Sequence, residues 1–377
     1  MAAIISKPGV EEKLRILSAD SQYDLACACG TGDDDRRHRG GDGRWIYPIT
    51  LPNGGKSVLF KTLVSNICEN DCSYCPLRDG GGGRKCALKP EETAKVFLDY
   101  LNQRKVFGLF LSSGVTASPD ATMDRLNTTA RILRRKYAFR GFIHLKIIPG
   151  ASRGAIEDAV SLASAVSLNI ETPGEENMRK LSSRKRYLDD IIEPMKLISN
   201  LTARGKKYSR VKQTTQFIVG PAGESDAEIV KYTAALYDRL NLSRIYFSAY
   251  QKTGEDPAEK TSAPQDVNNT FVREHRLYQT DFLFRRYGFS ESDIIFDENG
   301  RLSLTTDPKQ LWADAHPEKF PINANNAGKL ELLKVPGLGP ITVNRILKIR
   351  RKSHIHRIED FCKPTKTSQK ARSYLSF

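Results

Sequence analysis

Between Ser57 and Tyr250 the chain alternates strand-like and helix-like segments, and this rhythm restricts its fold more than any single residue does. Strand candidates are SVLFKTLVSN, VFGLFLSS, GFIHLKII, AVSLNIE, QTTQFIVG and RIYFSAY. Between them lie helix candidates such as PEETAKVFLDYLNQR (Pro90–Arg104), with proline at its start, and SDAEIVKYTAALYDRL. Six strands separated by helices predict a parallel sheet with helical crossovers. Six units fall short of the eight that close a full β/α barrel, so the sheet should be a partial barrel.

The strand faces say where chemistry could sit. Ile143, Leu145 and Ile147 share one face of their strand, and His144 and Lys146 the other. Val166, Leu168 and Ile170 oppose Ser167, Asn169 and Glu171 in the same way, and Ile245, Phe247 and Ala249 oppose Tyr246, Ser248 and Tyr250. A sheet covered by helices on both faces would be apolar on both. The pattern predicts helices on one side and a polar, wet lumen on the other.

Outside this region the organisation changes. Residues 1–56 read as an irregular N-terminal extension, with a polar loop at GTGDDDRRHRGGDGR (Gly30–Arg44). The barrel core is assigned to 57–252. Residues 253–328 are a linker and barrel-capping segment, with two short strands expected around the Asn-Gly of IIFDENGRLSL. Residues 329–377 form a separate small helical domain. No stretch is apolar enough to span a membrane, and the first twenty residues lack a signal-peptide pattern, so a cytoplasmic location is expected. The net charge of +15 favours a polyanionic partner.

The seven cysteines are unevenly spread, which argues against a disulfide framework. Three of them, Cys68, Cys72 and Cys75, fall in ICENDCSYCPLR with C-x₃-C-x₂-C spacing. A closed zinc site wants four ligands, and a thioredoxin-like pair needs only two. Three cysteines suit a cubane iron–sulfur cluster with one iron left open. They follow the first strand, at the end of the sheet where β/α enzymes hold their chemistry. Cys27, Cys29, Cys86 and Cys362 read as incidental thiols.

This motif, with Tyr74 before its third cysteine, resembles that of the radical S-adenosylmethionine (radical SAM) superfamily over roughly Ser57 to Tyr250. The resemblance implies a [4Fe-4S] cluster on Cys68, Cys72 and Cys75. Its open iron binds S-adenosyl-L-methionine, which is cleaved reductively to a 5′-deoxyadenosyl radical. It also implies cofactor contacts at Tyr74, at Ser112, Ser113 and Gly114 (where the family usually has Gly-Gly-Glu), at Asn169 and Glu171, and at Gly220 in IVGPAGES. A flavodoxin- or ferredoxin-type electron donor is implied as a partner.

The C-terminal LLKVPGLGPITVNRILKIRR resembles a helix-hairpin-helix motif. That likeness implies DNA contacts through Val335, Gly337, Leu338, Gly339, Thr342 and Arg345, largely to phosphate. Ile341, Val343, Ile346, Leu347 and Ile349 fall at helical spacing behind the turn. From Lys329 to Phe377, twelve Lys/Arg face three acidic residues, so nine of the net +15 lie here. The run RKLSSRKRYL (Arg179–Leu188) reads as a solvated helix face or the wall of a nucleic-acid channel.

The whole layout resembles a family of DNA modification or repair radical SAM proteins. It implies an α/β partial (β/α)₆ barrel with a small all-α helix-hairpin-helix domain, acting on DNA, with a repair partner such as a glycosylase. Two alternatives stand beside it. One is a radical SAM enzyme that modifies RNA. The other is a non-catalytic DNA-binding protein with a structural iron–sulfur cluster.

Overall fold

A computed structural model of the chain describes residues 8–21, 45–50, 55–250, 267–363 and 365–377. The Gly30–Arg44 loop, Cys27, Cys29 and all of residues 253–265 lie outside the described residues. The chain divides into two compact units. Unit one takes Met1–Glu224 and Ala235–Thr270; unit two takes Ser225–Ala234 and Phe271–Phe377. The division does not fall at Lys329.

Unit one opens with helix α1 (Val10–Asp20) and strand β1 (Ile46–Thr50), both in the segment expected to be irregular. Leu14 and Leu17 of α1 are buried, and Lys13 pairs with Glu92 at 3.0 Å, so tertiary packing orders a helix whose local pattern is weak. β1 pairs antiparallel with β2 (Lys56–Leu63). It is an edge strand, which is why it accommodates Pro48.

From β2 onward the sequence order is α2 (Pro90–Asn102), β3 (Gly108–Ser112), α3 (Pro119–Arg131), β4 (Phe142–Lys146), α4 (Arg153–Leu162), β5 (Ala165–Ser167), α5 (Gly174–Leu181), α6 (Glu193–Thr202), β6 (Lys212–Val219), α7 (Asp226–Leu240) and β7 (Arg244–Ala249). Local capping sets two of the helix starts. Ser118 accepts from Ala121 N–H ahead of Pro119, and Ser152 accepts from Ala155 N–H. The sheet runs β1 to β7 in chain order, with β2 to β7 parallel, and curls into a half-barrel.

The apolar strand faces pack as expected. Ile143, Leu145, Val166, Leu168, Ile170 and Ile245 are wholly buried. The polar faces are drier than the sequence suggests. Ser167, Asn169 and Glu171 are each buried as well, and His144 Nε2 lies 2.9 Å from Ser167 Oγ. Mutual hydrogen bonding lets these groups leave water.

Unit two contains α8 (Val267–Tyr287, from Phe271 on), α9 (Pro308–Ala315), β8 (Ile322–Asn323), α10 (Lys329–Lys334), α11 (Pro340–Ile349), α12 (Lys366–Arg372) and β9 (Leu375–Ser376). The tail is therefore not all-α, because β8 and β9 pair in parallel. The two strands expected around Asn299-Gly300 are absent among the described residues. Asp297 Oδ1 accepts from the N–H groups of Asn299 and Arg301, at 2.9 and 2.8 Å. Local side-chain bonding thus takes donors that a hairpin ladder would use.

Phe217 is fully buried and stacks on Phe247, with ring centroids 6.0 Å apart. Phe217→Ala should lower unfolding stability by about 3–5 kcal/mol in denaturant titration. Leu188→Ala, at a side chain 54% exposed, should stay within about 0.5 kcal/mol.

Candidate functional site

The loop between β2 and α2 carries the three clustered cysteines, and tertiary contacts hold it from two sides. On one side lies the end of β3. Gly114 N–H donates to Ser65 O at 2.8 Å, and Glu69 N–H to Val115 O at 2.9 Å. A Cβ on Gly114 would collide with the carbonyl oxygen of Ile67 and press on Cys68. Only glycine permits this approach. On the other side lies the end of α5. The Asp71 carboxylate accepts from the Ser182 hydroxyl, from Ser183 N–H at 2.9 Å and from Ser183 Oγ at 2.6 Å. Burial pushes the Asp71 carboxyl up, but these hydrogen bonds outweigh it and hold the group well below the usual carboxylate range.

Cys68, Cys72 and Cys75 line one cavity of about 880 Å³, its open mouth included. Tyr74, Ser112, Ser113, Gly114, Asn169 and Glu171 line the same cavity. Every cofactor residue expected from the sequence is brought here except Gly220. Gly220 has a φ of 102° and gives its N–H to the Glu224 carboxylate, closing a strand-to-helix turn. Glu171 also has a positive φ, of 66°, a conformation costly for a side-chain-bearing residue. It is held there between β6 backbone groups, with its N–H on Gln216 O at 3.0 Å and its carbonyl accepting from Ile218 N–H at 2.8 Å.

Sequence reasoning missed Lys185. It belongs to the basic run read as a solvated helix face or the wall of a nucleic-acid channel, yet its side chain is only 7% exposed and lines the cavity of the cysteines. Lys185 Nζ lies 3.3 Å from Tyr74 Oη and 3.4 Å from Glu171 Oε1. Burial alone would lower its pKa; the negative charges of Cys72 and Glu171 raise it above the ordinary lysine value. Burial and the neighbouring Cys72 charge likewise raise the Tyr74 hydroxyl, and burial pushes the Cys75 thiol up to about 12. Nothing local in the sequence marks Lys185, since the Ser182–Asp71 tie that brings it to the cavity spans over a hundred residues.

The donor set fits an iron–sulfur cluster. Soft sulfur donors share one wall, Val115 N–H points at Cys68 Sγ at 3.4 Å, and a buried ammonium balances negative charge beside Cys72. Among the described residues, no three His, Cys, Asp or Glu side chains group as ligands for a single metal ion.

In unit two, α10 and α11 are joined by a turn at Val335–Gly339, with Gly337 at φ 84°. Val335 and Leu338 bury their side chains, so they offer the solvent only backbone. The N–H groups of Gly337, Gly339, Ile341 and Thr342 meet no acceptor among the described residues. Arg345 is committed to Phe361 O at 2.9 Å. Val343 and Ile346 are core as expected, but Ile341 is 79% exposed, because the first turn of α11 turns that position outward. Lys309 braces the turn, donating to Leu338 O at 2.6 Å.

Two measurements check these assignments. Gly114→Ala should cost about 1–3 kcal/mol in thermal unfolding of the metal-free protein and reduce iron bound per chain after reconstitution. Burial lowers the Lys309 pKa from 10.5 to about 7, so between those values the unfolded chain holds the proton that the folded chain has lost. Stability relative to a Lys309→Met variant should therefore rise as pH goes from about 7 to 10.5 in denaturant titrations at several pH values, and stay level below that window.

Among curated proteins, none matches the chain significantly. Solved structures with a similar arrangement include HydG, the [FeFe]-hydrogenase maturase of Carboxydothermus hydrogenoformans, at 17% identity and TM-score 0.43, covering 58% of this chain and 51% of that one. Methylornithine synthase PylB aligns at 14% identity and TM-score 0.45, over 74% and 71% of the two chains. The AdoMet-bound anSMEcpe aligns at 14% and 0.40, over 60% and 62%. The chain spans about half the length of the HydG structures it matches. The model of the Radical SAM superfamily matches residues 62–236, the segment that supplies the cysteine loop and every lining residue of the cavity except Asp20. These residues form a domain of the radical SAM superfamily, whose enzymes use a [4Fe-4S] cluster and S-adenosyl-L-methionine.

Proposed function

We propose that the protein is a radical SAM enzyme acting on DNA, by base modification or lesion repair, with its C-terminal helix-hairpin-helix gripping the phosphate backbone. The observation that carries the enzymatic part is the single cavity shared by the three cysteines and the Glu171–Lys185 pair. Cys68, Cys72 and Cys75 would hold three irons and leave the fourth open. Glu171 and the carbonyls of Ser112–Gly114 offer acceptors for an ammonium group, and Lys185 offers a donor for a carboxylate. An amino acid moiety needs both. When bound, the cluster and S-adenosyl-L-methionine supply a 5′-deoxyadenosyl radical that takes a hydrogen atom from substrate. Apolar lining residues, among them Leu63, Val115, Ile147, Ile148 and Ile218, restrict water. Electrons come from a flavodoxin- or ferredoxin-type donor.

DNA as the target is supported by the N–H groups of the α10–α11 turn, which meet no acceptor among the described residues, and by the net +9 of the tail. Backbone donors at a helix start suit phosphate oxygens without regard to sequence. A base deep in a duplex cannot enter such a cavity, so the substrate base is unstacked or already single-stranded.

Anaerobic reconstitution, reduction and addition of S-adenosyl-L-methionine should yield 5′-deoxyadenosine. Yield should rise with DNA and vanish in Cys72→Ala. The DNA affinity should fall steeply with salt, and each of Lys348→Ala and Lys352→Ala should flatten the log–log slope by up to about one. A fully loaded cluster that gives no 5′-deoxyadenosine with any DNA would overturn the enzymatic reading.

A further inference from the structure

Unit two has a cavity of its own, about 720 Å³ with its mouth included. One wall is a stripe of α8 formed by His275, Tyr278 and Phe282, at the spacing of successive helical turns. Phe282 is 44% exposed, with the Arg285 guanidinium 5.2 Å from its ring centroid. The remaining lining comes from Tyr287 at the end of α8 and from Asp307 and Lys309 at the start of α9.

The cavity adjoins the α10–α11 turn. Lys309 Nζ lies 4.7 Å from the centre of the Tyr287 ring and donates to Leu338 O at 2.6 Å. The Tyr287 hydroxyl is 3.6 Å from where a Cβ on Gly339 would stand. Two lining residues, Lys309 and Tyr287, thus reach the turn. An aromatic wall and a helix-start turn whose N–H groups meet no acceptor among the described residues adjoin each other within one unit. One ligand has both matching parts: a nucleotide, which carries a flat base and a phosphate one sugar away. Paired and stacked bases do not reach such a cavity, whereas an unpaired base does.

We propose that this cavity takes an unpaired nucleobase, stacked on Tyr278 and Phe282, from a strand whose neighbouring phosphate is held at the Gly337–Thr342 turn. The proposal rests on the DNA reading and adds a preference to it: the protein selects DNA with an extruded or single-stranded nucleotide. Stacking on an aromatic side chain contributes about 1–3 kcal/mol per base, which is roughly a 5- to 150-fold gain in affinity.

The test uses the full chain and two fluorescein-labelled duplexes, alike except that one carries a single bulged 2-aminopurine. Anisotropy gives both affinities, and 2-aminopurine emission reports stacking. The wild type should prefer the bulged duplex by at least about fivefold and quench its emission. Phe282→Leu, which keeps an apolar side chain and removes the ring, should lose most of the preference and of the quench. Tyr278→Leu should do the same and serves as an independent variant. Equal affinity for the two duplexes, or a preference that survives both variants, overturns the cavity assignment and leaves DNA binding standing. Failure to bind either duplex overturns both readings.

Discussion

The close approach of Gly114 to Ile67 and Cys68 is the constraint on which the candidate site depends. It lets the end of β3 lie directly against the first clustered cysteine. From that contact follow the Val115 N–H aimed at Cys68 Sγ and the placing of Ser112 and Ser113 in the cavity wall. The Asp71 carboxylate does the corresponding work on the far side, tying the loop to Ser182 and Ser183. A loop that makes little regular structure is held in shape by its neighbours, as a preorganised site requires.

Electrostatics in the cavity are arranged at some cost. A buried Lys185 must be compensated, and Glu171 and Cys72 do so together. Leaving one member of a buried ion pair alone typically costs about 3–5 kcal/mol. Glu171 meanwhile sits at a positive φ. Strain and buried charge at the same residue are hallmarks of a position kept for chemistry rather than stability. Unit two shows a milder form of the same economy, where Lys309 is buried against the hairpin carbonyl of Leu338.

Unit two also shows why short helices can carry a turn rigidly. Leu332, Leu333, Val335, Leu338, Val343 and Ile346 form a small core with Ile355, Ile358 and Phe361. The core holds the side chains of the turn inward, so its outward face is backbone. Such a face is suited to phosphate and not to reading base sequence. Among the described residues no helix is long and apolar enough to cross a membrane.

By itself the sequence determined the alternation of strands and helices, the apolar strand faces and the cysteine spacing. Each is a local pattern that can be read over a few residues. The edge strand β1 and helix α1 were not legible, because long-range packing rather than local propensity orders them. The strands expected around Asn299-Gly300 failed for a related reason, since Asp297 takes the backbone donors first. Tertiary structure alone decided that Gly114 serves close packing and that Lys185 leaves a basic run to join Glu171 and Tyr74. Both outcomes depend on which residues meet across the half-barrel, and sequence spacing carries no information about a contact made between distant strands and loops.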